Sequence, residues 1–344
     1  MIRTYGHRVD VLRNGAVVTQ LKAVGAPSVY CDSTADIKCS FSGTFAYNPL
    51  VDYLNDELKV WQIINGAEHP AGVFCIGTYN DDYDADGHHT VKIEAYDRSF
   101  LLQQTRTEGI YHIDAGVNYG TAIEQLLTAA GISLYIITPT SCTLATARED
   151  WDVGTDYLTI ANTLLAEINY NPIWFNADGY AILEPYAAPD ATKIDHTYDG
   201  TTELSVLLPD CSAETDIFDK PNVFIVVCSN PDLSAPLMAT AENTNPVSTL
   251  STFKRGRRIA KVFPVDNIAS QDELDAYAQR LCFDSMLSSE VVDVKTALMP
   301  GHGVLDTIAI KHPKIQGIFQ ELAWSLTLGP GQAMTHKLRR VIIV

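Results

Sequence analysis

Between Tyr79 and His89 the chain reads YNDDYDADGHH, with Asp81, Asp82, Asp84 and Asp86 ahead of Gly87, His88 and His89. Alternate carboxylates followed by glycine are how an EF-hand loop opens on calcium, but that loop also needs a bidentate glutamate at its twelfth position. Counted from Asp82, the twelfth residue is Ile93, and Glu94 falls one place late. The flanking runs AGVFCIGTY (71–79) and HTVKIEAY (89–96) are rich in β-branched and aromatic residues, so they predict strands rather than the helices of an EF-hand. His88 and His89 are adjacent, and on a strand they point to opposite faces. The favoured reading is a polar hairpin tip, with a weak adventitious cation site as the alternative, and no structural metal is expected.

Other candidates for chemistry are sparse. There is no G-x-S-x-G elbow, no phosphate-binding loop and no dinucleotide fingerprint, and no cofactor is expected. His302 stands between two glycines in GHG (301–303), which reads as a turn between strands before it reads as a catalytic loop. With 42 Asp and Glu residues, any carboxylate pair for glycoside cleavage is a free choice. Tyr170, Trp174, Phe175, Tyr180 and Tyr186 could stack on sugars, but their placement on both arms of one hairpin fits sheet packing better.

One basic cluster, KRGRRIAK (254–261), contrasts with the rest of the acidic chain: Lys254, Arg255, Arg257, Arg258 and Lys261. It reads as a solvated hairpin tip, as a subunit interface facing an acidic neighbour, or as a nucleic-acid contact. No aromatic residue interleaves with these basics, which weakens the last reading.

The elements around these residues are mostly strands. The 344 residues carry a net charge of −18, which disfavours nucleic acid and anionic membranes as partners over most of the surface. No apolar run reaches the roughly 18–20 residues of a membrane span, and the N-terminus lacks a signal-peptide core. The seven cysteines form no C-x-x-C pair and mostly sit in apolar runs, so reduced, buried thiols are expected.

Strands are predicted about the Asn14-Gly15 turn, over 36–45, 58–64, and on both sides of the acidic loop. Helices are predicted over 121–131, with Thr121 and Glu124 as a capping box, and over 155–168, followed by a hairpin at 168–186. Beyond an acidic stretch (195–219) and a strand at 221–229, residues 229–251 read as a long exposed loop. A capped helix at 270–288 and four closing strands follow. The expected class is α+β, mainly β. The expected domains are an N-terminal β-barrel (1–115), a small α/β module (116–200) and a second β-barrel carrying the 270–288 helix (201–344).

Five stretches in this order resemble the baseplate or tail hub proteins of long-tailed bacteriophages and contractile injection particles. They are DIKCSFSGTF, LKVWQII…GVFCIGTY, VKIEAYDRSFLLQQ, AREDWDVGTDYLTIANTLLAEINYNPIWFNADGYAILEPY and the closing HKLRRVIIV, and they span nearly the whole chain. The resemblance implies tail-tube-like barrels and a homotrimeric ring whose two β domains per chain give six similar units. It also implies contacts with the tail tube protein, the spike and other baseplate proteins, and a channel passing tape-measure protein or DNA. The expected location is a virion tail or phage-tail-like particle, made in the bacterial cytoplasm, without membrane insertion. The family offers no catalytic residues to carry over, and no enzymatic activity is expected. The alternatives are a cell-wall glycan hydrolase of the tail tip and a receptor- or carbohydrate-binding tail module. Two further expectations follow: residues 1–100 and 221–344 should fold alike, and the channel wall should be acidic.

Overall fold

A computed structural model describes residues 3–341 except 204, 219, 229–235, 266 and 288–289. Asn14 and Gly15 both take positive φ (52° and 78°), as a two-residue hairpin turn requires, and join β1 (Tyr5–Arg13) to β2 (Ala16–Leu21). The N-terminal half continues with β3 (Ser28–Asp32), β4 (Cys39–Ala46), β5 (Glu57–Ile64), β6 (Ala67–Tyr83) and β7 (His89–Tyr96). Antiparallel ladders set them in the order β2-β1-β5-β6-β7-β4-β3. A bridge between Ala23 and Phe45 brings the chain after β2 back onto β4 and closes this half into a barrel. Its core holds Val9, Val11, Phe41, Phe45, Leu58, Val60, Phe74, Val91 and Ile93.

An α/β module separates the two halves. It comprises α1 (Ser99–Gln104), β8 (Tyr111–Ile113), α2 (Tyr119–Ala129), β9 (Tyr135–Ile137), β10 (Arg148–Trp151), α3 (Tyr157–Glu167), β11 (Trp174–Phe175) and β12 (Ala181–Leu183). The apolar faces of α2 and α3 meet over one core that includes Ile123, Leu126, Leu127, Leu164 and Leu165. The cap of α2 differs from expectation: Asn118, not Thr121, accepts from the Gly120 and Thr121 amides, and Glu124 takes the Tyr135 hydroxyl instead. Asn precedes the first apolar turn and is as good a cap as Thr.

The C-terminal half holds β13 (His196–Asp199), β14 (Leu207–Thr215), β15 (Val223–Cys228), β16 (Leu237–Glu242), α4 (Thr252–Arg255), β17 (Ala260–Val265) and α5 (Gln271–Leu287). It ends with β18 (Glu290–Ala297), β19 (Thr307–Lys311), β20 (Gln316–Thr327) and β21 (Ala333–Arg340). Ser270 caps α5 as expected, its Oγ accepting from the Glu273 amide. Part of the expected 229–251 loop is strand β16, which pairs with β15 because Ala239 and Leu237 complete the apolar layer under α5. Residues 229–235 of that loop and the last three of the closing strand lie outside the described residues.

Five strands of one half repeat those of the other. The order β3-β4-β7-β6-β5 is matched by β14-β18-β21-β20-β19, with the same antiparallel pairings and the same chain order. The β6–β7 ladder shifts register between Ile76 and Thr78, and the β20–β21 ladder shifts between Glu321 and Ala323. Gly72 and Gly317 hold matching positions at φ 139° and 148°, each two residues before a buried phenylalanine, Phe74 or Phe319. The halves differ at the flank: β1 runs antiparallel to β5, whereas β13 runs parallel to β19. The small sheet β16-β15-β17 and α5 are inserted between β14 and β18.

Candidate assembly site at the joint of the two halves

The two halves form one sheet because β20 outruns its neighbour. Its first residues, Gln316–Gln320, pair with β19; past the bulge, Ala323–Thr327 pair antiparallel with Asp32–Ser28 of β3. Trp324, Leu326, Leu328 and Met334 of the C-terminal half thereby enter the N-terminal core. Each such buried side chain contributes about 1.5–3 kcal/mol, so the joint is part of the fold rather than a loose hinge. Cys31 lies opposite Cys39 on β3 and β4, and the two are disulfide-bonded, a correction to the expectation of reduced thiols throughout. The spacing of eight residues gave no hint of it; cross-strand registry brings the pair together. Burial pushes the Cys75 thiol up to about 12 and that of Cys282 to about 11, so neither is a reactive thiolate.

Beside the joint lies a buried polar cluster that sequence reading passed over. His302, read as a turn residue, does sit in the loop before β19, but its side chain is buried against Glu321 and His336. Glu321 bridges the two rings through contacts of 2.6 Å to His302 Nδ1 and 2.5 Å to His336 Nδ1. Tyr198 Oη lies 2.6 Å from His302 Nε2, and Thr296 Oγ1 lies 2.9 Å from His336 Nε2. With both rings neutral, each Nδ1–H donates to the carboxylate and each hydroxyl donates to an Nε2, so every group is satisfied. Burial holds His302 below its ordinary pKa, and Glu321 only partly offsets this. Burial also disfavours charge on His196, stacked 3.9 Å from His302, but Asp306 outweighs it and raises that residue's pKa. His302, Glu321 and His336 have ligand atoms within 4.8 Å of one another, a donor set suited to a transition metal, though each nitrogen already has a protein partner. The alternation in both strands carried the signal: Glu321 shares a face with Phe319, and His336 lies between Met334 and Leu338. At the matching positions the N-terminal half has Ile76, Ile93 and Phe45, so the fold itself does not require polar groups there.

The acidic stretch is the expected hairpin tip. Asp84 accepts from the amides of Asp86 and His88 and contacts the His88 ring at 2.8 Å, while His89 reaches Asp81. The backbone bonds, first, and the ring hold the Asp84 carboxyl below its usual range. Asp84, Asp86 and His88 are close enough to share an ion, all of them exposed.

The basic cluster is not at a hairpin tip. Lys254 and Arg255 end α4, Gly256 closes it in the left-handed conformation, and Lys261 lies on β17. Arg255 donates to the Lys220 carbonyl, Arg258 pairs with Glu242, and Lys261 lies over the Phe263 ring. Arg257 and Lys254 are exposed, as are Phe253 (73%) and Val262 (57%).

The hairpin aromatics are packed rather than displayed. Tyr170 and Phe175 are core residues, and Arg280 covers the Tyr186 ring at 4.2 Å. A cavity of about 1010 Å³ lies between the module and α5 and is lined by Arg148, Asp150 and Glu167. Arg148 engages both Glu167 oxygens at 2.8 Å, and Tyr119 donates to one of them. Burial raises the pKa of that carboxyl, and its bonds to Arg148 and Tyr119 partly offset this and tie α3 to β10 and α2.

No protein-family profile matches the sequence, and no curated protein matches it. Solved structures do. A tail protein from Neisseria meningitidis MC58 superposes with a TM-score of 0.69 at 13% identity, covering 97% of this chain and 96% of that one. This chain has the fold of phage tail proteins. The 43 kDa tail protein of prophage MuSo2 from Shewanella oneidensis gives 0.67 at 8% identity, with 98% of both chains covered. The E. coli c3393 protein, a type VI secretion component described as similar to the T4 tail proteins gp27 and gp5, gives 0.53 at 11% identity, covering 97% of this chain and 77% of that one. The tail-protein fold agrees with the expected class, α+β and mainly β. Among the described residues no helix is long and apolar enough to cross a membrane.

Proposed function

We propose that this chain is a structural hub of a phage tail or baseplate, three copies of which form a ring that connects the tail tube to the central spike and lines a channel. The observation that carries the reading is the internal repeat, because a chain built twice on one plan lets three copies present six similar units to a six-fold tube. The tail-protein fold supports a structural role over glycan hydrolysis. The division into two tube-like domains, with the module between them directed away from the tube, belongs to the same proposal; against the expected bounds of 1–115, 116–200 and 201–344, α1 and β8 pack with the module and β13 with the second domain. So do the partners: tail tube protein, spike, other baseplate proteins, and tape-measure protein or DNA in transit through a virion tail or tail-like particle. Lys254, Arg255, Arg257, Arg258 and Lys261 are proposed as an interface with an acidic neighbour. The test is the mass and the image of the purified protein. Trimers seen as three-fold rings with a central hole are expected; a monomer that cleaves cell-wall glycan overturns the reading.

A further inference from the structure

The joint between β3 and the far part of β20 has a second half-set in the same chain. β14 holds the place of β3, and Thr78–Asp82 of β6 hold the place of Ala323–Thr327 of β20. β6 outruns β5 as β20 outruns β19, but among the described residues nothing pairs with that edge of β6 or with the outer edge of β14. Burial follows the same division. In the formed joint Val29 and Leu326 are 0% exposed, and Cys31 and Trp324 are 3% and 6%. In the unformed one every residue of Thr78–Asp82 and Ser212–Thr215 is exposed, with Ile217 and Phe218 uncovered just beyond (54% and 86%). An open strand edge beside uncovered apolar side chains is a template for another chain.

We propose that β14 of one copy adds antiparallel to the far part of β6 in the next copy, in the register that β3 takes on β20. The proposal rests on the ring reading above and specifies which edges make the ring. Transferring the Cα partners sets Thr78 against Asp216, Tyr79 against Thr215, Asn80 against Glu214, Asp81 against Ala213 and Asp82 against Ser212. No carboxylate then stands directly opposite another, although both edges are acid-rich. A one-residue slip in one direction would set Asp81 against Glu214, a directly opposed like-charge pair. The two edges differ from each other, so copies join head to tail, and joints within chains alternate with joints between chains around the ring.

Paired cysteines read the register directly. Asn80→Cys with Glu214→Cys, and Asp81→Cys with Ala213→Cys, cover both the narrow and the wide pair types of an antiparallel ladder. All four positions are exposed, so the substitutions leave the fold of a single chain undisturbed. After mild oxidation, one double variant should run as a covalent trimer on a non-reducing gel and return to monomer with reductant, while the single variants and the parent do not cross-link. A protein that is trimeric by mass but cross-links in neither double variant overturns this joint and leaves the ring reading standing. A monomeric parent overturns both.

Discussion

The burial of His302 against Glu321 and His336 makes stability depend on pH, with a definite sign. A histidine whose folded pKa lies below its unfolded value of 6.5 stabilises the fold above that pH and withdraws the contribution as pH falls toward its folded value. His302 therefore predicts weakening on the acid side of neutrality. His7, also lowered by burial, acts in the same direction, whereas His196, raised beside Asp306, acts in the opposite one. Urea titrations from pH 8 to pH 5 should show unfolding free energy declining below about 6.5, and His302→Phe should flatten the decline. An unchanged slope in that variant would assign the titration elsewhere. Glu321→Ala strands two buried ring donors and should cost about 2–6 kcal/mol at neutral pH, at about 1–3 kcal/mol for each unsatisfied donor. At the acidic hairpin tip Asp84 is already held by backbone amides, so calcium should leave the melting temperature unchanged, since only a ligand that prefers the folded state raises it.

Among the elements, the repeated strands make paired predictions. Phe74 and Phe319 occupy matching places on β6 and β20, and each →Ala variant should lose about 3–5 kcal/mol in denaturant unfolding. A large loss in one and almost none in the other would mean that the halves are not energetically alike. Reversing Arg257 and Arg258 to Glu should weaken assembly or docking to the tube, read by co-sedimentation, while intact assembly with lost DNA affinity would refute the interface reading. Elements were the legible level of this sequence. The Asn14-Gly15 hairpin, the Ser270 cap and the closing strands were visible because turn chemistry and two-residue alternation are local. Partners set by registry were not visible: the Cys31–Cys39 bond, or the burial of Lys38 with its ammonium on the Ser33 and Ala35 carbonyls. The echo of Gly72-Val73-Phe74 in Gly317-Ile318-Phe319 was present in the sequence, but three residues do not announce a repeat until strand order aligns them.

For the whole molecule, a charge of −18 per chain has a use if the ring surrounds a passage. Lysines and arginines on the wall would bind phosphates and release their counterions, fixing DNA in place at cellular salt. A carboxylate-lined wall keeps the passage open to transit, so the purified ring should not shift short duplex DNA on a gel even at low salt, where attraction reaches furthest. A low-salt shift would contradict an acidic wall.

The resemblance between the halves does not extend to all of their side chains. One fills its matching interior positions with Ile76, Ile93 and Phe45, the other with Glu321, His336 and Thr296, and only the second carries the inserted sheet and α5. In a ring of three such chains the backbone repeats six times and the chemistry three times. Neighbouring proteins would then sort themselves by what they read: those that grip main chain would bind in sixes, and those that recognise the insertion in threes. Such a ring would thus act as a stoichiometric adapter, converting one copy number into another without any part having to move.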